Sequence, residues 1–307
     1  MYNYVYSTLR IKVYSIIIID CGGERNTFFE IFCEIGCFLM TNMEYSVKHK
    51  RIVVKIGTST LTYATGKLNI RRIETLVRVL SDMRNAGLEV VLVSSGAVSA
   101  GTSRLGLEIT KRTIEEKQAL AAVGQCEIMR LYERLFATYG HTVGQILITK
   151  DVVDNENRFA LAKSTFARLI DFGCIPIVNE NDSVSFEGIK FGGNDTLSAY
   201  VAIICEADLL INLSDIDGLY DSDPRKNKNA RLIEHVAEID DSILACAGGV
   251  GSDRGTGGML TKLKAAQIAT AAGIPMQILN GRDPRVLHRV IEGEHVGTYF
   301  AAKGENA

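Results

Sequence analysis

The chain has 307 residues, 47% of them hydrophobic and 23% charged, with a formal net charge of −2. That is the make-up of a soluble globular protein with one large α/β domain or two smaller ones, and it argues against nucleic acid or an acidic membrane surface as partner. The seven cysteines are an odd number without metal-like spacing, so they read as reduced cytosolic thiols rather than as disulfides or a zinc site.

Residues 1–42 differ in character from the rest of the chain. The apolar run from Tyr14 to Ile19 is stopped by Asp20, and the stretch Phe28–Met40 is interrupted by Glu30 and Glu34. Neither is long enough to span a bilayer, and no small-residue cleavage site follows a proper apolar core. This segment is read as an extension that is disordered or precedes the true start at Met40 or Met43. The domain proper is then 43–307.

Arg51–Ile56 is the first predicted strand, and Lys55 stands out in it because an unpaired ammonium is costly to bury. It is expected to point at an anion, helped by the amides of Gly57 and Thr58. Next comes a pattern that occurs four times: a helix ends in Gly, and an apolar strand follows at once. The glycines are Gly87, Gly140, Gly173 and Gly273, and the strands are Val90–Val93, Val143–Ile148, Ile175–Val178 and Ile274–Leu279. Asp208–Leu213 is a further strand. Gly closes a helix in the left-handed conformation, and near-continuous apolar strands are buried on both faces. Alternating helix and buried strand predict a mainly parallel sheet with helices on both sides. No linker interrupts residues 51–300, so a single compact domain is expected.

Small or polar loops follow the strands: Lys55–Ser59, Ser94–Gly101, Asn179–Asp182, Gly192–Thr196 and Ser214–Tyr220. In a parallel sheet the strand ends lie along one edge, where active sites form. Gly255–Lys262 opens a further helix, and glycines there let an anion approach its unpaired first amides, within reach of Lys262. The spacing is not that of a Walker A loop. None of the five histidines, His49, His141, His235, His288 and His295, falls in these loops, and no cysteine there has a histidine partner. Lysines, helix starts, hydroxyls and carboxylates suit phosphoryl transfer, which needs positioning and neutralisation of oxygen charge.

Six segments together resemble the glutamate 5-kinases of the amino acid kinase family. They are Val53–Ser59, Ser94–Ala97, Lys117–Gln125, Asn179–Asp182, Asn194–Ala199 and Gly255–Lys262. The resemblance runs from about Arg51 to Phe300. It implies a three-layer αβα sandwich and transfer of the ATP γ-phosphoryl group to the side-chain carboxylate of L-glutamate, the first step of proline synthesis. It implies catalytic roles for Lys55, Lys262 and Asp195, with Asp195 holding the lysines. Ser95, Asp182 and Asn194 match glutamate-binding positions. Lys55, Gly57, Ser214, Asp215, Thr256, Gly257, Gly258, Met259, Leu260, Thr261 and Lys262 match the ATP site. Mg²⁺ is implied on the phosphate oxygens, with no protein ligand assigned. A cytoplasmic homo-oligomer is implied too, with proline a candidate feedback inhibitor and neither nucleic acid nor membrane as partner.

Three departures from the family pattern stand out. Gly193 replaces an Asp that many members carry, which removes a carboxylate from near the lysines. The chain ends near Phe300, where many bacterial members continue into a PUA domain. The N-terminal extension has no counterpart. A related kinase acting on another acid would be distinguished at Asn179–Asp182. A non-catalytic nucleotide-binding protein, which Gly193 brings to mind, is opposed by the presence of both lysines and Asp195.

Overall fold

In a computed structural model of the chain, residues 49–108, 112–185, 191–247 and 258–305 are described. The elements in chain order are β1 (Arg51–Ile56), α1 (Thr58–Leu61), α2 (Ile70–Asn85), β2 (Glu89–Ser94), α3 (Ala97–Arg104) and α4 (Ile114–Ala137). They continue with β3 (Val143–Ile148), α5 (Asp151–Asp154), α6 (Glu156–Asp171), β4 (Ile175–Glu180), α7 (Asn194–Ile204) and β5 (Leu209–Ser214). The last are β6 (His235–Val236), α8 (Asp241–Cys246), α9 (Met259–Ala271), β7 (Met276–Asn280), α10 (Val286–Ile291) and β8 (Thr298–Phe300).

The strands form one eight-stranded sheet in the order β3-β4-β2-β1-β5-β7-β8-β6. Pairing is parallel except between β7 and β8. All four helix-end glycines adopt positive φ, between 77° and 96°, and each is followed by its strand as expected. The sequence reading missed β6 and β8, which have two and three residues and are too short to show a period. These residues lie within one compact unit, Val47–Ala307. Among the described residues no helix is long and apolar enough to cross a membrane.

Two apolar layers sandwich the sheet. Val53, Val91, Val93, Val178 and Leu210 pack with Phe166 of α6, Leu197 and Val201 of α7, and Leu263 and Ala266 of α9. Ile52, Val54, Ile56, Val90, Leu92 and Ile211 pack with Leu76 and Leu80 of α2, Ile128, Tyr132 and Phe136 of α4, and Leu287 of α10. Successive strand side chains point to opposite faces, and this period of two places the polar groups as well. Lys55 shares the parity of Val53, so it faces α7 and α9. Asn212 shares the parity of Leu210 and faces the same way. Ser94 has the opposite parity, and its hydroxyl lies 2.9 Å from that of Tyr132 on α4.

Candidate active site

At the carboxyl edge of the strands, Lys55 of β1 meets the first turns of α7 and α9. Its ammonium donates to Asp195 Oδ1. Lys262 Nζ donates to Asp195 Oδ2 at 3.1 Å, and the Thr261 hydroxyl donates to the same oxygen at 2.8 Å. Asn212 Nδ2 donates to Asp195 Oδ1 at 2.8 Å. One carboxylate thus holds two lysines, a hydroxyl and an amide. The residues are buried: Lys55 is 6% exposed, Lys262 6%, Asp195 2% and Asn212 0%. Burial alone would raise the Asp195 pKa, but the charges of Lys55 and Lys262 override it and hold the carboxyl well below its usual range. Burial is also the leading influence on Lys55. It lowers that pKa, opposed by the charge of Asp195 and reinforced by that of Lys262.

Lys55, Asp195, Thr261 and Lys262 line a cavity of about 390 Å³, together with Gly57, Thr58, Ser95, Gly193, Asn194, Ser214 and Asp215. Three helices near it begin differently from α2, α4 and α6. The residue before the first helical position is Gly96 for α3, Gly193 for α7 and Gly258 for α9, and none supplies a side-chain cap. By contrast α2, α4 and α6 are capped by the side chains of Asn69, Thr113 and Asn155. Uncapped first amides remain available to an anion. The uncapped α7 start and the two lysines face the same cavity, an arrangement suited to phosphate oxygens.

A second polar chain runs from the cavity toward α4. Asn194 Nδ2 donates to Ser95 Oγ and to Asn179 Oδ1, each at 2.9 Å. Asn179 Nδ2 donates to Gln125 Oε1 on α4 at 3.0 Å. The Glu180 side chain instead accepts from the Ser185 hydroxyl at 2.8 Å and from the Phe191 amide at 3.3 Å. Strand β4 runs through Glu180, so Asn179 and Glu180 are the end of a strand and not yet the loop read from the sequence.

The structure brings Lys55, Gly57, Ser95, Asn194, Asp195, Ser214, Asp215, Thr261 and Lys262 to one cavity. Asp182 is not among its lining residues; it is half-buried in the turn after β4. Gly258, Met259 and Leu260 start α9 without lining the cavity, and Leu260 is exposed. Thr256 and Gly257 lie outside the described residues. Gly193 has φ +126°, where L side chains are rarely found, although an added Cβ would meet nothing within 4 Å. The departure from Asp thus coincides with a backbone turn that glycine permits.

Sequence reasoning passed over Asn212, Arg72 and Arg282. Asn212 had a signal, a lone amide two positions before the polar end of an apolar strand. Arg72 and Arg282 also line the cavity, but nothing local separates them from ordinary surface arginines.

Against known proteins, the model for the amino acid kinase family matches residues 50–280. Glutamate 5-kinase of Clostridium perfringens (strain 13 / Type A) is 54% identical over 258 residues, 83% of this chain and 96% of its own length. Glutamate 5-kinase of Clostridium tetani (strain Massachusetts / E88) is 55% identical over 259 residues, 84% and 97% of the two chains. Among solved structures, UMP kinase from Bacillus anthracis superposes with a TM-score of 0.56 at 20% identity, over 82% of this chain and 96% of its own. Isopentenyl phosphate kinase of T. acidophilum superposes with a TM-score of 0.57 at 18% identity, over 81% and 99%. These two likenesses establish the three-layer fold. The chain belongs to the amino acid kinase family, in its glutamate 5-kinase branch.

Proposed function

We propose that this chain transfers the γ-phosphoryl group of ATP to the side-chain carboxylate of L-glutamate, giving L-glutamyl 5-phosphate and ADP, as the first step of proline biosynthesis. The observation that carries the reading is the pair of buried lysines on one carboxylate, set between uncapped helix starts. A glutamate carboxylate oxygen attacks the γ-phosphorus as the bond to the β–γ bridging oxygen breaks, and ADP leaves with that electron pair. The nucleophile is already ionised at neutral pH, so no general base is required. That agrees with a cavity whose described lining contains no histidine or cysteine.

The barrier is repulsion between an anionic nucleophile and an anionic phosphate. Lys55 and Lys262 neutralise the transferring group, and Asp195 fixes both ammonium groups before the reaction so that little reorganisation is needed. Ser95 and Asn194, hydrogen-bonded to each other, orient the glutamate, with Asp182 pairing with its ammonium. Gly57, Ser214, Asp215 and the segment from Thr256 through Lys262 hold the nucleotide.

Among the described residues no group of three acidic, histidine or cysteine side chains is placed to hold a metal. Both Asp195 oxygens are committed to donors, whereas among the described residues Asp215 takes only a 3.4 Å hydrogen bond from the Ser214 hydroxyl. This fits Mg²⁺ carried on the nucleotide phosphates with few protein ligands, Asp215 being the carboxylate available to it. Bound there, the ion supplies further neutralisation of phosphate oxygens. A cytoplasmic location, a homo-oligomeric state and feedback by proline belong to the same proposal and rest on the family resemblance.

The test is an ATP-dependent hydroxamate assay comparing glutamate, aspartate and acetylglutamate. Turnover with glutamate well above the other two is expected. Preference for another acid, or no ATP-dependent product, overturns the reading.

A further inference from the structure

Two arginines complete the cavity wall: Arg72 on α2 and Arg282 in the loop after β7. We propose that Arg282 holds the β-phosphate of the nucleotide, which becomes the terminal phosphate of the leaving ADP, and that Arg72 is the positioning residue that sets Arg282. The proposal rests on the kinase reading and adds a group to its nucleotide site.

Charge makes the first part of the case. The described lining contains four cations, Lys55, Arg72, Lys262 and Arg282, against two carboxylates, Asp195 and Asp215. The lysines and carboxylates balance, and the Arg72 guanidinium is bonded to two backbone carbonyls, which leaves Arg282 as the cation placed to offset the negative charges of a polyphosphate. The lysines are also engaged with Asp195 at the buried floor. Arg282 is exposed on the wall of the same cavity, so the proposal puts the β-phosphate beside it with the γ-phosphate between the lysines.

The local bonding makes the second part. Arg72 Nη1 donates to the Thr60 carbonyl at 2.6 Å, and its Nε donates to the Arg282 carbonyl at 3.0 Å. One guanidinium thus ties α1, after β1, to the loop after β7, across the intervening β5. The loop is pinned further by Gly281 N to Ser214 O at 2.7 Å and by Arg282 N to Asn280 Oδ1 at 3.0 Å. The backbone of Arg282 is therefore fixed, while its guanidinium has no hydrogen bond or ion pair among the described residues. Two carboxylates close in sequence or bonded to this loop are committed elsewhere. Asp283 pairs with Arg285 at 2.6 Å, and Asp217 accepts from Asn280 Nδ2 at 2.7 Å and from the Tyr220 hydroxyl at 3.0 Å. A fixed backbone carrying an uncommitted planar fork suits bidentate contact with a phosphate.

The experiment measures ADP and AMP binding by calorimetry, with steady-state kinetics alongside. Arg282→Ala and Arg282→Gln are expected to weaken ADP and raise the KM for ATP about tenfold, the scale of a lost charged hydrogen bond. AMP affinity and the KM for glutamate should stay within about twofold, and Arg282→Lys should recover part of the loss because it keeps the charge without the fork. Arg72→Gln should weaken ADP in the wild-type background and have no further effect in the Arg282→Ala background. Arg72→Lys, which cannot bridge the two carbonyls in one plane, should behave alike. Unchanged ADP affinity in the Arg282 variants, equal loss for AMP, or an Arg72 effect that persists without Arg282 overturns the inference. A wild-type protein that fails to bind ADP or to phosphorylate glutamate overturns the kinase reading instead.

Discussion

Strand β1 carries a cation near each end, and the two ends are built on opposite principles. At its start, Arg51 Nε lies 2.7 Å from Glu89 of the neighbouring β2, and Lys50 joins the same carboxylate at 3.2 Å. The amides of Lys50 and Arg51 donate to Asp208 at 2.8 and 2.7 Å. These groups are partly open to water, where an ion pair contributes about 0–1 kcal/mol. At its end, Lys55 and Lys262 share Asp195 with almost no exposure. Removing each such ion from water costs several kcal/mol, and the attraction between them only offsets this. The first arrangement joins two strands at a solvated rim. The second gains little stability for its desolvation, which supports the proposal that it is kept for chemistry at the carboxyl edge.

The largest effect that tests this contrast is on turnover. Lys55→Ala and Lys262→Ala should each lower kcat by at least about a hundredfold, because each removes charge stabilisation from the transition state. Circular dichroism should show the fold retained. Near-normal turnover in either variant would place that lysine with Arg51, as a structural group.

The pH profile sharpens the comparison further. Burial sets the Lys55 pKa below the usual 10.5. In the proposed mechanism catalysis requires the ammonium, so the alkaline limb of kcat should fall below that value. Asp195→Asn removes the charge that opposes the shift and should move the limb lower still, measured on the activity that remains. Stability follows the same signs. Between the lowered Lys55 pKa and 10.5 the unfolded chain binds more protons, so this group's contribution to stability rises with pH. Asp195 is depressed, so its contribution is present above 3.8 and is lost as the pH falls through its folded value. An alkaline limb that does not move in Asp195→Asn would mean that Lys55 does not control it.

Asp182→Ala is a more modest test of how far the site extends. The proposed ion pair with the glutamate ammonium would be made in ground and transition states alike, so the KM for glutamate should rise more than the KM for ATP. Equal changes would remove Asp182 from the substrate pocket. At the other end of β1, Glu89→Gln should change unfolding free energy by no more than about 1 kcal/mol and leave turnover unaltered. A hundredfold loss of activity there would erase the distinction between the two ends. The smallest effect is expected from a chain beginning at Met43, since the family match starts only at residue 50. We propose that residues 1–42 are dispensable; insoluble or inactive protein after their removal would show otherwise.

Much of the fold was legible in local sequence. The four glycine-ended helices and their strands, and the two further strands β1 and β5, rest on periodicity and on left-handed turns within a few residues. Lys55 betrayed itself by breaking an apolar strand, and the start of α9 by its glycines. Asp195 was a different matter. Its loop, Gly192–Thr196, was legible as a polar segment, but an Asn-Asp helix start is ordinary, and the catalytic role of Asp195 entered only through family resemblance. Asn212, Arg72 and Arg282 entered only through the structure. The bond that defines Arg72 crosses 210 residues to the Arg282 carbonyl.

The sequence by itself determined the parallel α/β class, the edge at which polar loops collect, and the chemistry those loops can support. These follow from the period of two, the helix period and the caps, all of which act within a few residues. Only the tertiary structure decided which loops meet. Asp195 joins Lys55 across 140 residues and Lys262 across 67, because β1 sits between β2 and β5 and the helices α7 and α9 cover the same sheet face. Strand order is settled by how whole layers bury apolar surface, and no local pattern carries that information.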